Sequence, residues 1–228
     1  MVDPVRVFIG VDPRQPLGYN VLQYSLHRYS SRRVIVEPLM LHKLPITRRG
    51  LTEFTYSRYL VPWLCGYEGC AVFMDADIVV TGDIGELLDQ ADTRYAVQVN
   101  TAQPKFEWAS VMLFNNAQCR NLTPGWINDP ESKPQALEWG DVGSFSPEWN
   151  HCVNKQEPAE AKLYHYTEGI PHWDEVRGSP LDQHWFDAYD AMLHSVSWQE
   201  LMGGSIHFQP VLRRFLKRKF NITPPSKW

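Results

Sequence analysis

Asp75 and Asp77 stand one residue apart between two apolar runs, Ala71-Val72-Phe73-Met74 and Ile78-Val79-Val80. A short, continuous, β-branched run of this kind reads as a buried strand. Carboxylates are costly to withdraw from water unless something compensates their charge. Side chains at i and i+2 of a strand share a face, so both carboxylates can approach one ion. Hard oxygen ligands suit Mg2+ or Mn2+, which often bind phosphates at the same time. The chemistry implied is a divalent cation gripped by Asp75 and Asp77, with a phosphate behind it. The plainer reading of the same letters is a strand that ends in a solvated acidic turn. The apolar residues on both sides favour the cation.

The elements that must position this pair alternate between strand and helix. Val5 to Val11 reads as a first strand, broken by Asp12-Pro13-Arg14, and Leu17 to Tyr29 carries a helical apolar pattern. Val34-Ile35-Val36 reads as a second strand. Thr55 to Leu64 reads as helical, limited or kinked by Pro62. After the strand that ends at Asp75, Thr81-Gly82-Asp83 forms a turn and Ile84 to Leu88 starts a short helix. Tyr95 to Val99 and Ser110 to Phe114 add two strands. This order predicts an α/β layered sheet. Residues 120–180 are rich in Pro, Gly, Trp and Asn, and read as long connections over one face of the sheet. Leu181 to Leu193 looks helical. The expected organisation is one domain over residues 1–210 and a basic tail over 211–228, which contains Arg213-Arg214-Phe215-Leu216-Lys217-Arg218-Lys219-Phe220.

At 228 residues with 43% hydrophobic content, the chain can fill a sizeable core. A net charge of −4 argues against nucleic acid as a partner. No stretch reaches the length of a transmembrane helix, and Met1-Val2-Asp3-Pro4 does not read as a signal peptide, so a cytoplasmic protein is expected. Cys65, Cys70, Cys119 and Cys152 lack paired zinc spacing and read as reduced thiols, mostly packed as small apolar groups. The basic tail reads as a solvated helix or as a peripheral contact with anionic lipid on the inner membrane face.

Several segments together resemble the family-eight glycosyltransferases, the relatives of glycogenin and of the bacterial lipopolysaccharide galactosyltransferases. They are Phe54-Thr55-Tyr56-Ser57-Arg58-Tyr59-Leu60-Val61-Pro62, then Phe73 to Ile84 with its Asp75-Ala76-Asp77, and Gly82-Asp83-Ile84-Gly85-Glu86-Leu87. Ser110-Val111-Met112-Leu113-Phe114-Asn115, Pro147-Glu148-Trp149-Asn150, and Leu163-Tyr164-His165-Tyr166 to Trp173 follow in the family's order. The resemblance implies a GT-A fold: a single Rossmann-like nucleotide-sugar-binding domain with a mixed, mostly parallel sheet and a loop-rich C-terminal half. It implies a nucleotide-sugar donor, usually UDP-linked, together with Mn2+ or Mg2+ and retention at the anomeric carbon. The acceptor would be a glycan, a lipid-linked glycan or another hydroxyl compound.

By resemblance, Asp75 and Asp77 match the two carboxylate metal ligands and His165 the third protein ligand; neutral imidazole suits Mn2+. Arg58 matches the basic residue that reaches the donor, where a guanidinium fork suits diphosphate or sugar hydroxyls. Ile9, Gly10, Val11 and Asp12 fall at the strand end where relatives hold the uracil, in keeping with ligand crevices at the carboxyl ends of strands. Ala76 and Gly169 complete the implied donor contacts. Where a carboxylate is needed near the anomeric carbon, Asp141 is the first candidate and Glu107 the second. Tyr19 is a possible stacking or positioning residue at that strand end, and Trp108, Trp126, Trp139, Trp149 and Trp173 could stack on sugar C–H faces. For Arg58, Tyr19, Asp141, Glu107 and most of these tryptophans, ordinary structural roles compete.

The late motif departs from the family pattern. It runs His165-Tyr166-Thr167-Glu168-Gly169-Ile170-Pro171-His172-Trp173, with glycine displaced and the diphosphate-binding lysine missing. The sugar-binding asparagine before Val111 is also absent. Two alternatives therefore stand beside transfer. One is a haloacid-dehalogenase-type phosphatase, whose nucleophile motif shares the letters Asp75-Ala76-Asp77-Ile78-Val79. The other is a relative that binds nucleotide-sugar or carbohydrate without turnover.

Overall fold

A computed structural model of the chain describes residues 4–13, 16–193, 213, 216–217 and 220–223. The chain divides into two compact units, Met1–Ala188 and Tyr189–Trp228. Both sheets lie in the first unit.

The elements run in this order: β1 (Val5–Gly10), α1 (Pro16–Tyr29), β2 (Val34–Leu39), α2 (Val61–Leu64), β3 (Cys70–Met74), β4 (Ile78–Val80), α3 (Ile84–Leu88), β5 (Val97–Val99), β6 (Val111–Asn115), α4 (Pro124–Asn128), β7 (Val142–Ser144), β8 (His151–Cys152), β9 (Leu163–His165) and α5 (Asp182–Leu193). The main sheet has the strand order β2-β1-β3-β6-β5-β7. β1 pairs in parallel with β2 and β3, and β5 with β7, while β6 runs against both of its neighbours. The sheet is therefore mixed and mostly parallel, as expected. Pro38 falls in β2, the edge strand, where a missing N–H is tolerated.

β1, β3 and β6 are buried almost end to end because apolar clusters cover both faces. One face packs Phe8, Phe73 and Phe114 with Tyr59, Leu60 and Leu122. The other packs Ile9, Met74 and Leu113 with Leu22, Leu26 and Trp149. α1 buries a stripe made of Gly18, Val21, Leu22, Ser25 and Leu26, spaced as one helical face. Ser25 Oγ donates to the Leu22 carbonyl at 2.8 Å and accepts the Val80 N–H at 3.1 Å, which ties α1 to β4.

Thr55 to Leu64 does not form one helix. Ser57–Leu60 is a 3-10 turn and α2 follows it, with Pro62 in the first turn of α2, where its missing N–H costs nothing. The Gly82-Asp83 turn is a helix cap: Asp83 Oδ1 accepts the Gly85 N–H at 2.9 Å. Two of the loop-region tryptophans pack as the plainer reading expects, Trp149 fully buried and Trp139 stacked on Phe114 with ring centroids 6.3 Å apart, whereas Trp173 is exposed. Most of the basic tail lies outside the described residues. Among those described, no helix is long and apolar enough to cross a membrane.

Candidate active site

The register of the main sheet sets the site. β1 and β3 run side by side with Ile9 opposite Met74, so Gly10 and Asp75 leave the same sheet edge together. Asp75, Ala76 and Asp77 are not on a strand. They form the bend between β3 and β4, where the chain passes from the six-stranded sheet to a second sheet of order β4-β9-β8. The two carboxylates come together through this bend and not through strand alternation.

The second sheet supplies the histidine. β4 pairs antiparallel with β9 so that Ile78 lies opposite His165, and the Tyr166 N–H reaches the Asp77 carbonyl at 2.9 Å. His165 Nε2 lies 3.3 Å from Asp77 Oδ1. One ligand atom each from Asp75, Asp77 and His165 falls within 4.8 Å of the others. Asp75 Oδ1 and Asp77 Oδ1 are buried and receive no well-formed hydrogen bond, although each has a cationic or imidazole neighbour. Unsatisfied oxygens beside an imidazole fit a hard divalent cation.

Arg58 stands against this group. Its Nη2 lies 3.1 Å from Asp75 Oδ1, its Nε donates to the Phe54 carbonyl at 3.2 Å, and its Nη1 donates to the Ala109 carbonyl. The guanidinium also sits over the rings of Phe73 and Phe54, at 4.8 and 5.4 Å. Burial pushes the Asp75 carboxyl up to about 7; Arg58 pulls it down and Asp77 adds to the rise. Burial disfavours a charged His165, but the Asp77 carboxylate outweighs this and holds the imidazole well above the usual histidine range.

A cleft of about 390 Å³ opens over these groups. Leu51, Thr55, Arg58, Asp75 and Asp77 line it, together with Lys105, Phe106, Glu107, His165 and Thr167. Its size suits a small-molecule ligand. Glu107, the second candidate carboxylate, is inside: it is buried, Thr167 Oγ1 donates to its Oε1 at 3.0 Å, and its Oε2 lies 3.7 Å from His165 Nδ1. Asp141, the first candidate, is elsewhere. It is exposed and precedes β7, which runs parallel to β5, so it sits at the end of the sheet opposite Asp75.

The expected uracil contacts divide. Ile9 and Val11 bury their side chains in the core, so only their backbone is available, and Gly10 lies against the Phe54 ring. Asp12 is half-buried just past the end of β1. Ala76 meets α1, where Gly18 lets the helix approach the Ala76 carbonyl. Gly169 closes a turn after β9 at φ +127°, a glycine conformation, with its N–H on the Tyr166 carbonyl at 2.7 Å. Leu51, Lys105, Phe106 and Thr167 were not expected in the site, because they lie in stretches without periodicity. Cys152, which reads in the sequence as a packed thiol, faces His165 Nδ1 at 3.8 Å, a proximity that no spacing motif signals.

No family model matches the chain. Protein CDI of Arabidopsis thaliana is 30% identical over 223 residues, which cover 81% of this chain and 85% of that protein. The chain belongs to the family of Protein CDI. Among solved structures, this CDI-family chain is similar to the glycosyltransferase GlyE of Streptococcus pneumoniae, with a TM-score of 0.61, 16% identity and cover of 84% of this chain. It spans only 62% of the GlyE chain. It is also similar to the galactosyltransferase LgtC solved with donor and acceptor sugar analogs, with a TM-score of 0.56, 11% identity and cover of 87% of this chain and 99% of that one. A third similar structure is the bifunctional glycosyltransferase WbbM, with a TM-score of 0.59, 16% identity and cover of 88% of this chain and 51% of that one. The CDI-family fold is thus the GT-A glycosyltransferase fold.

Proposed function

We propose that this protein is a metal-dependent glycosyltransferase of the family-eight kind, moving a sugar from a nucleotide-sugar, UDP-linked in the first instance, to a hydroxyl acceptor with retention. The observation that carries the reading is the convergence of Asp75, Asp77 and His165 in a ligand-sized cleft at the carboxyl edge of a GT-A sheet. The phosphatase alternative accounts for the two aspartates alone. It gives no role to the imidazole brought beside them by β9.

Asp75, Asp77 and His165 would hold the divalent cation, Mn2+ or Mg2+, which when bound supplies Lewis-acid stabilisation of the charge that grows on the departing diphosphate. The residues of the chain set the rest. Arg58 keeps a fixed positive charge at the buried end of the cleft, and its partners on both sides prevent it from swinging into solvent. The end of β1, with Ile9, Gly10, Val11 and Asp12, leaves the same sheet edge as Asp75, and the base of the donor would lie there. Glu107, which lines the cleft, would be the carboxylate that faces the sugar, either to orient the acceptor hydroxyl or to take the anomeric carbon in a double displacement. The acceptor would be a glycan, a lipid-linked glycan or another hydroxyl compound, with peripheral membrane contact through the basic tail as part of the same reading.

Thermal unfolding with UDP, Mn2+ and both together tests the binding step. A raised melting temperature that needs both is expected. Release of UDP from a panel of UDP-sugars, with and without Mn2+, tests turnover. Binding without release would leave a nucleotide-sugar-binding protein that has lost catalysis, and no shift with any nucleotide diphosphate would overturn the donor assignment.

A further inference from the structure

His165 presents its two ring nitrogens to different neighbours. Nε2 faces Asp77, whereas Nδ1 faces Cys152 Sγ at 3.8 Å and Glu107 Oε2 at 3.7 Å. One ligand atom each from Glu107, Cys152 and His165 lies within 4.8 Å of the others, and all three residues are buried. The backbone fixes this group: Cys152 and His165 are registered neighbours on the parallel strands β8 and β9. Thr167 holds the other oxygen of Glu107, which leaves Oε2 directed at the imidazole.

The spacing matches a thiophilic ion. Zinc at about 2.3 Å from sulfur and about 2.0–2.1 Å from nitrogen or oxygen sets tetrahedral ligands roughly 3.3–3.6 Å apart. The two separations from His165 Nδ1, 3.8 and 3.7 Å, need to shrink by only a few tenths of an ångström, and Glu107 and Cys152 lie within 4.8 Å of each other. The charge balance also fits a buried place, since one thiolate, one carboxylate and a neutral imidazole offset a dication completely. The first set differs in kind. It has two carboxylates and an imidazole with Arg58 alongside, a donor set for a hard cation that keeps further open positions.

We propose that Glu107, Cys152 and His165 form a second divalent-metal site, selective for a thiophilic ion such as Zn2+, and that filling it excludes the Asp75-Asp77 site by capturing the shared histidine. Binding forms a metal–sulfur bond at Cys152 and a metal–nitrogen bond at His165 Nδ1, and sends the thiol proton and the imidazolium Nδ1 proton to solvent, with no change in oxidation state. A neutral imidazole has one nitrogen with a free lone pair. When Nδ1 is on the metal, Nε2 carries the proton and points an N–H at Asp77. Glu107 and His165 both line the cleft, which supplies the entry path and a solvent ligand for the fourth position. The metal site stands on its own geometry; its inhibitory effect rests on the transferase reading.

Co2+ serves as the optical probe, added to the full metal-free chain. Thiolate ligation gives a near-ultraviolet charge-transfer band and tetrahedral visible bands. One equivalent is expected to develop them in the wild type, and Zn2+ is expected to abolish them. Cys152→Ser should lose the bands, whereas Cys65→Ser and Cys119→Ser should keep them. Glu107→Gln should weaken Co2+ binding about tenfold, which provides a second reading if Cys152→Ser fails to fold. Absence of the bands in folded wild type, or their persistence in Cys152→Ser, overturns the site. Exclusion is read separately from the melting shift given by UDP with Mn2+. Zn2+ should erase that shift at a tenfold or more lower concentration in wild type than in Cys152→Ser, and equal sensitivity of the two overturns the exclusion. If UDP and Mn2+ give no shift at all, the donor reading fails while the cobalt bands still decide the metal site.

Discussion

The Arg58 guanidinium lies 3.1 Å from the Asp75 carboxylate, and both side chains are nearly buried, at 10% and 14% exposure. Breaking a buried pair from one side leaves the other charge uncompensated, which typically costs about 3–5 kcal/mol. Arg58 also bridges the Phe54 and Ala109 carbonyls, so it ties the segment before α2 to the turn that carries Glu107. Arg58→Ala is therefore expected to lower unfolding stability by about 3–5 kcal/mol in denaturant melts. Arg58→Lys should recover only part of this, because an ammonium cannot span three partners in a fixed fork. A loss under about 1 kcal/mol for the alanine variant would mean that solvent screens the pair.

The same pair sets a pH dependence. Burial raises Asp75 to about 7 from an ordinary value of 3.8, so the folded state binds a proton that the unfolded chain has released. Stability is then greatest below about pH 4 with respect to this group and falls as pH rises to about 7, by a total on the order of 2–4 kcal/mol. His165 acts in the same direction at higher pH. Its folded value is raised above 6.5, and the stability it contributes is lost as pH climbs through that raised value. Asp75→Asn should flatten the fall between pH 4 and 7 and leave the later fall in place. The loss of a partner for Arg58 displaces the whole curve without changing this slope. Saturating Mn2+ should reverse the slope, because the cation takes the unprotonated carboxylate. Chemical denaturation across pH 4–8, with and without Mn2+, measures both.

Gly18 offers a test of how α1 supports the proposed metal ligands. In an open helix, Gly→Ala stabilises by up to about 1 kcal/mol. At Gly18 an added Cβ would stand 2.6 Å from the Ala76 carbonyl oxygen, a backbone atom in the bend between Asp75 and Asp77. Overpacking of this kind costs about 1–3 kcal/mol and should win over propensity. Gly18→Ala is expected to be destabilising and to weaken Mn2+ binding by displacing the bend. Gly125→Ala in α4, where the nearest atom is 3.9 Å away, should be neutral or slightly stabilising. Calorimetric titration of Mn2+ alongside melting curves separates the two effects.

The parts of this site legible in sequence are those where local pattern and geometry coincide. The apolar run before Asp75 could only be a buried strand, and the Pro147 to Asn150 segment proved to be a support: Asn150 Nδ2 reaches Ser110 Oγ at 3.0 Å and the Glu107 carbonyl at 3.4 Å. Ser110 in turn accepts the Asp75 N–H at 2.9 Å through its carbonyl. The bend at Ala76 was not legible, because apolar letters on both sides conceal a change of sheet. The placing of Asp141 and Glu107 depended on strand direction across the sheet, which local periodicity does not carry. Cys152 needed the β8–β9 register, set by two very short strands.

On the transferase reading, Phe106 bears on the acceptor. It is 81% exposed although it lines the cleft, and Leu51, also in the lining, is 91% exposed. Exposed apolar groups at the mouth of a polar cleft mark a binding surface more often than a packing error. Sugar C–H faces stack on aromatic rings, and Phe106 is the chain neighbour of Glu107 in the 3-10 segment Lys105–Ser110, which makes it a candidate for the acceptor side. Phe106→Ala should raise the acceptor KM about tenfold, a loss of about 1.4 kcal/mol, while Phe106→Trp should hold it near the wild-type value. Stability should change by less than about 0.5 kcal/mol, since the ring packs against little. Initial rates against acceptor concentration at saturating donor provide the measurement. An unchanged KM, or an equal loss in the UDP and Mn2+ melting shift, would place Phe106 on the donor side or outside recognition altogether.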